Sequence, residues 1–166
     1  MPDPSAYPLF RLFAPSEEKI KFIGKKLMDE YLYVSDEFRN YDDIYRRLLH
    51  YANAYNQNVI YEIGNFEGIL GFTNIIAGWK SHLTFKLWNK SRWGADFARQ
   101  SKDFIHEVMG ELHLVRLETS SPDPRIVKMA RMVGFKMEGI KQKSFSWQGQ
   151  FYDETLLVRI REDSNV

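Results

Sequence analysis

Few side chains in this chain can do chemistry, and elimination narrows them further. No cysteine occurs among the 166 residues, which excludes a thiolate nucleophile, a thiolate zinc site and a disulfide framework. The four histidines, His50, His82, His106 and His113, are scattered, so no bound metal is expected. For moving a proton there remain Glu62, His82 and Glu118, together with three consecutive hydroxyls, Thr119, Ser120 and Ser121, just ahead of Pro122. None of these has a spacing that decides its role. The plainer readings are an exposed strand residue for Glu118, turn formers for Ser120 and Ser121, and a surface strand start for His82.

The elements that must position these groups follow from periodicity. LFRLFA reads as a short strand. Pro15 and Ser16 then open a helix with Glu17 and Glu18 at its positive end and Ile20, Ile23, Leu27 and Tyr31 on one face. A second helix is expected from Asn40 as N-cap, with Asp43 three residues on and Ile44, Leu48, Tyr51, Ala52 and Tyr55 at helical spacing. Tyr31, Tyr33 and Phe38 lie between the two helices, where with Asp36 and Glu37 they would suit a cationic amine, but the expected role of the aromatics is to pack the helix pair. From Asn58 the period becomes two: VIYEI, the turn Gly64-Asn65 and FEGILGFTNII form two antiparallel strands.

A third strand, HLTFKLW, sets Leu83, Phe85 and Leu87 against Thr84, Lys86 and Trp88. A long helix follows, with Phe97, Ser101, Phe104, Ile105, Val108 and Leu112 on one face, and then the strand LVRLET. A strand, a helix of about twenty residues and another strand leave no room for a hairpin, so these two strands run parallel through a crossover. Asp123 caps the next helix with Pro124 at its first position. Ile126, Ala130 and Val133 form its stripe, and Gly134 ends it with Phe135 folding back. Met129, Met132 and Met137 read as core filler. Ile140 to Trp147 and Phe151 to Ile160 close the chain around Gln148-Gly149, where glycine supplies the positive φ of the turn. The expected architecture is α/β: a mixed, mainly antiparallel sheet with one central parallel β-α-β unit and flanking helices.

Composition bounds the reading. Lys and Arg number 23 against 22 Asp and Glu, a net charge of +1, and 44% of residues are apolar. This suits one folded domain over 1–166, with 1–8 and 162–166 as tails. The balanced charge gives no field for nucleic acid and no window has a basic stripe, so nucleic-acid binding is not expected. No basic leader precedes an apolar run and no stretch of about 18 apolar residues occurs, so the expectation is a soluble cytoplasmic protein with no membrane partner.

At this point the residues resemble the GNAT superfamily of acyl-CoA-dependent N-acyltransferases, within it the branch that acetylates ribosomal-protein N-termini. The likeness spans nearly the whole chain. It is most specific in DPRIVKMARMVGFKMEG, from Asp123 to Gly139, and in WQGQFYDETLLV, from Trp147 to Val158; RWGADFARQSKDFI, from Arg92 to Ile105, is similar to the family's pyrophosphate loop and helix. The resemblance implies acetyl-CoA as cosubstrate and transfer of its acetyl group to a primary amine, either a protein N-terminus or a small molecule, by a monomer or homodimer. It implies that the strands HLTFKLW and LVRLET splay apart at their carboxyl ends for the pantetheine arm, and that helix N–H groups meet the diphosphate. Carried onto this chain, the coenzyme A residues are Lys86, Leu87, Trp88, Arg92, Trp93, Gly94, Ala95, Asp96, Phe97, Ala98 and Asp123. Trp88 and Trp93 read equally as an acyl or pantetheine slot and as closure of the core.

Two positions depart from the family pattern. Asp96 stands where a small residue belongs, whichever way the loop is aligned. A carboxylate about 4 to 6 Å from a phosphate, in an effective dielectric near 20, costs on the order of 3 to 4 kcal/mol unless compensated. Lys90, Arg92 and Arg99 surround Asp96 in sequence, and its plainer role is to cap the helix. The tyrosine with which many members protonate the leaving thiolate falls on Ala130. Some members of the branch use a serine near the end of the fifth strand instead, which implies Ser120 here, with Glu118, Glu62 or His82 as base. The alternative is a GNAT-shaped binding module that has lost catalysis, with a degraded coenzyme A loop.

Overall fold

A computed structural model of the chain describes residues 2–3, 5–29, 42, 45–46, 48–50 and 57–162. Seven strands, β1 (Phe10–Leu12), β2 (Val59–Ile63), β3 (Gly68–Ile76), β4 (Lys80–Leu87), β5 (Arg116–Ser121), β6 (Lys136–Trp147) and β7 (Gln150–Ile160), form one sheet. Their order is β1-β2-β3-β4-β5-β7-β6. Only β4 and β5 are parallel; every other neighbouring pair is antiparallel. Helices α1 (Glu17–Asp29), α2 (Ala95–Glu111) and α3 (Pro124–Met132) flank the sheet. The mixed sheet with one central parallel crossover is as the periodicity predicts. Asp42, Tyr45, Arg46 and 48–50 are helical, within the stretch read as the second helix. Tyr31, Tyr33, Asp36, Glu37, Phe38, Asn40, Asp43, Ile44, Tyr51, Ala52 and Tyr55 lie outside the described residues. Among the described residues no helix is long and apolar enough to cross a membrane.

Strand alternation divides the apolar residues between two faces. Leu70, Phe72, Leu83, Leu87 and Leu117 join the buried side of α2 in the main core, where Phe97, Phe104, Ile105, Val108 and Met109 are all buried. Ile69, next to Leu70, falls on the other face with Phe13, Ile20 and Ile23, so α1 covers that side. Phe104 centres the main core: its ring stacks on Phe10 at 4.2 Å and meets Tyr61 edge-on at 4.8 Å.

The helix ends follow the expected chemistry. Ser16 Oγ accepts the Lys19 N–H at 3.2 Å at the start of α1. The Asp123 carboxylate accepts the Arg125 N–H at 2.8 Å at the start of α3. Past the end of α3, Gly134 has φ +95° and the Phe135 N–H returns to the Ala130 carbonyl at 3.0 Å, the αL exit that favours glycine. Arg159 on β7 is buried, and its Nη1 donates to the Lys102 and Val133 carbonyls at 2.9 Å each, tying α2 to the end of α3.

Several boundaries differ from the sequence reading. Phe66 and Glu67 belong to the turn Gly64–Glu67 rather than to β3, because the Glu67 N–H closes onto the Ile63 carbonyl at 2.8 Å. β3 begins at Gly68, where a Cβ would lie 2.5 Å from the Lys86 carbonyl oxygen, so glycine lets β3 and β4 close at this end. β6 starts at Lys136 rather than Ile140 and carries irregularities between Met137 and Gly139 and between Lys141 and Phe145. In the closing turn both Gln148 and Gly149 have positive φ, so glycine supplies only half of what that turn requires. Of the methionines read as core, only Met129 is buried. Met132 lies on the turn of α3 away from the sheet, and Met137 on the sheet-edge strand β6, with 44% and 47% exposure.

Phe104→Ala is expected to cost about 3 to 5 kcal/mol of stability, as large-to-small changes of a fully buried aromatic do. Urea unfolding of the two proteins measures it, and a loss below about 1 kcal/mol would mean the ring stack is not central.

Candidate active site

The parallel pair is short. Lys80, Ser81 and His82 of β4 lie opposite Arg116, Leu117 and Glu118 of β5. Beyond them β4 continues to Leu87 and β5 to Ser121 without pairing to each other. Each strand is instead held outward, β4 by β3 as far as the Leu87–Gly68 pair and β5 by β7 as far as Ser121–Thr155. A wedge opens between them, with a cavity of about 200 Å³ lined by His82 to Lys86, Thr119 to Pro122, Ile126, Phe145 and Glu154. Backbone N–H and C=O groups bordering such a gap look for partners that the neighbouring strand no longer provides.

Alternation decides which side chains face the gap from the α1 side of the sheet. Leu83, Phe85 and Leu87 pack toward α2, so His82, Thr84 and Lys86 point the other way. Ser120 lies opposite Leu156 of β7, which puts Glu154 on the same face. Ser120 Oγ donates to Glu154 Oε1 at 3.1 Å, and Ser144 Oγ of β6 donates to Oε2 at 2.9 Å. Burial pushes the His82 imidazole below its ordinary value and Lys141 adds to this, against the opposing pull of Glu118 and Glu154. His82 is therefore neutral at pH 7 and able to accept a proton. Glu154 escapes a reading of the sequence because its hydroxyl partner is 34 residues away. The signal that could have found it is its phase on β7, even with Ser120 once β5 and β7 are paired.

The other candidate bases are occupied. Glu118 accepts from Arg116 Nε at 2.6 Å and lies 3.8 Å from Lys80 Nζ, and Arg116 also binds Glu138. The Arg116 hydrogen bond holds the Glu118 carboxyl below the usual range, which makes it a weak base. Glu62 is paired with Lys19 of α1. Asp123 is buried at the start of α3. Burial pushes its carboxyl up, but the Arg125 guanidinium, within 2.7 to 3.1 Å, and the Arg125 N–H outweigh this and hold it low.

After β4 the loop is locked to the β2–β3 turn. The Glu67 carboxylate accepts from Asn89 Nδ2 and Arg92 Nε, each at 2.7 Å, and its carbonyl accepts the Trp88 and Asn89 N–H groups. Trp88 donates Nε1 to the Phe66 carbonyl at 2.7 Å and packs against Phe22 and Phe66, so it closes the α1-side core instead of lining the gap. Gly94 is the N-cap of α2 and no side chain caps it. The first helical bond runs from the Ala98 N–H to the Gly94 carbonyl, which leaves the N–H groups of Ala95, Asp96 and Phe97 free of helical partners. Asp96, read as the cap, sits too far inside the helix for that role. Its side chain is 92% exposed, 3.8 Å from Arg99. Arg92 is engaged with Glu67. Trp93 packs edge-on against Phe85, and Phe97 and Ala98 are buried in the main core. A groove of about 660 Å³ borders this loop, lined by Arg92, Gly94, Ala95 and Asp96 on one side and by Arg11 and Asn65 on the other.

The wedge thus gathers His82, Lys86, Ser120 and Glu154, while Glu62, Trp88 and Glu118 are engaged elsewhere. Among the described residues no group of His, Asp and Glu could hold a metal ion.

The Arg92 hydrogen bond keeps the Glu67 carboxyl below its ordinary value of 4.5. A depressed carboxyl stabilises fully above the unfolded-state value and loses that contribution as pH falls through the folded one. Glu67→Gln is expected to lower stability by about 1 kcal/mol at pH 7, with the difference shrinking as pH falls below 4.5. Urea unfolding across that range checks this, and a gap that persists in acid would mean packing, not charge, holds the loop.

No protein-family model and no curated protein matches this chain. Solved structures do. The ribosomal L7/L12 α-N-protein acetyltransferase RimL, in complex with coenzyme A, superposes with a TM-score of 0.72 at 12% identity over 94% of this chain and 96% of its own. Spermidine N-acetyltransferase from Vibrio cholerae, with coenzyme A and spermine, gives 0.66 at 15% identity over 93% and 96%. The ribosomal-protein-S5-alanine acetyltransferase of Vibrio fischeri gives 0.69 at 18% identity over 93% and 94%. The chain has the GNAT fold of these N-acetyltransferases.

Proposed function

We propose that the chain is an acetyl-CoA-dependent N-acetyltransferase acting on a primary amine, either a protein N-terminus or a small molecule. The observation that carries this is the wedge past His82 and Glu118, where two unpaired strand edges meet a neutral imidazole and a hydroxyl-bound carboxylate. Solved neighbours with coenzyme A bound support the choice of cosubstrate.

The residues fit that cosubstrate in parts. The edges of β4 from Leu83 to Leu87 and of β5 from Thr119 to Ser121 can take the amide-bearing pantetheine arm as a partial extra strand. The free N–H groups of Ala95, Asp96 and Phe97 can hold a phosphate, and the exposed Asp96 carboxylate, directed to solvent beside Arg99, limits its repulsion. Acetyl-CoA supplies an activated acyl carbon. The protein's part is to hold the amine, remove its proton and polarise the acyl carbonyl through backbone N–H groups near Lys86 to Trp88. Glu154 is placed to attract an ammonium group, and neutral His82 to take its proton. Ser120 orients Glu154 through its hydrogen bond rather than acting alone.

The second reading, a catalytically inactive binding module, is favoured by Asp96 at the helix start and Ala130 at the tyrosine position. Calorimetric titration with acetyl-CoA, with a thermal melt in parallel, separates the two. Micromolar binding is expected, and at about a hundredfold excess over Kd the stabilisation is about 2.7 kcal/mol. Asp96→Gly is expected to improve affinity by less than about tenfold. Absence of binding by the native chain, with strong binding by Asp96→Gly, would establish a decayed loop. With an amine that turns over, His82→Gln is expected to lower kcat by about 10² or more. The acid limb of the native pH profile should lie below about pH 6.5, because burial lowers the His82 value and only the neutral imidazole accepts a proton. An unchanged profile in the variant would remove His82 from the chemistry.

A further inference from the structure

The proposed transfer leaves one need unmet, a donor for the departing sulfur. Ala130 has no proton to give, and the Ser120 hydroxyl proton is committed to Glu154. From the wedge an apolar recess of about 30 Å³ leads toward α2 and α3, and it shares Leu83, Phe85, Thr119 and Ile126 with the wedge itself. That volume is roughly one water molecule's share of the liquid. Ala130 lines the recess, and its small side chain leaves the space open.

Ser101, nearly two turns into α2, also lines it. Its side chain is 97% buried, being 3% exposed, and its Oγ has no hydrogen-bond partner. A buried hydroxyl without a partner is costly, and alanine would serve the helix better. The wedge, which shares its lining with the recess, gives a polar atom a way to reach it.

We infer that Ser101 is the hydrogen-bond donor to the thioester sulfur and to the thiolate it becomes, a role that rests on the acyltransferase reading above. In the step, the amine nitrogen forms a bond to the carbonyl carbon, the carbon–sulfur bond breaks, and its electron pair goes to sulfur. The nitrogen attacks as a neutral amine, its first proton already taken by His82, and loses its second proton to solvent as the carbon–sulfur bond breaks. Ser101 keeps its own proton, since an alcohol is a far weaker acid than a thiol, and stabilises the sulfur anion by hydrogen bonding until solvent protonates it. The thiolate is thus a catalytic contact of Ser101, made on the side of the sheet opposite Glu154.

The test compares coenzyme A with desulfo-coenzyme A, in which hydrogen replaces the thiol, by calorimetry near pH 9, above the ordinary thiol value of about 8.5. The native protein is expected to favour coenzyme A by about tenfold or more, the scale of a hydrogen bond to a charged group. Ser101→Ala should bring the ratio close to one with desulfo-coenzyme A affinity unchanged. A ratio that survives Ser101→Ala overturns the assignment. Equal native affinity for the two ligands overturns it as well, without touching the acyltransferase reading. Failure of the native protein to bind either ligand overturns both.

Discussion

A parallel strand pair that stops short governs this structure. β4 and β5 cannot stay together past His82 and Glu118, because each is bound along its outer edge to an antiparallel neighbour that carries it away. The twist of a sheet makes such divergence natural where a parallel pair sits between antiparallel ones. Among the described residues no strand pairs with the two edges that face the opening, and the elements around the gap hold those edges apart. Gly68 lets β3 close on β4 on one side, Thr155 holds Ser121 on the other, and α2 and α3 cover the floor.

The charged groups near the wedge divide into those spent on structure and those left for chemistry. Arg116 collects Glu118 and Glu138, Lys19 takes Glu62, and Arg125 takes Asp123. Each pairing removes a carboxylate from the list of plausible bases. Glu154 differs: it accepts from two hydroxyls, Ser120 and Ser144, which orient the carboxylate without neutralising it. An ammonium group entering the wedge would meet that negative charge next to an imidazole that burial keeps uncharged.

Much of the frame could be read from the chain because its signals are local. The α2 stripe, the Asp123-Pro124 start and Gly134 end of α3, and the period-two strands either side of α2 all lie within a few residues of what they determine. The crossover follows from those spans alone, whereas the gap beyond it is an expectation of the family resemblance. Other features were illegible because they join distant residues. Glu67 acts on Asn89 and Arg92 across the sheet end, and Glu154 reaches Ser120 only after β7 inserts beside β5. Asp96 misled because helix starts usually favour a capping carboxylate, whereas here an extended glycine begins the helix two residues earlier. Met132 and Met137 misled because residue type was taken for position.

β7, last of the strands, lies inside the sheet, and β6 joins the rest only through it. During synthesis, then, β5 has an unpaired edge and β6 has nothing to pair with until 150–160 have been made. The same strand brings Arg159 to the Lys102 and Val133 carbonyls, so the two helices over the gap gain their shared clasp at that moment too. Closure of the sheet and fastening of its helices are a single late event, and a nascent chain halted before β7 would present a bare parallel-sheet edge to whatever strand it met first.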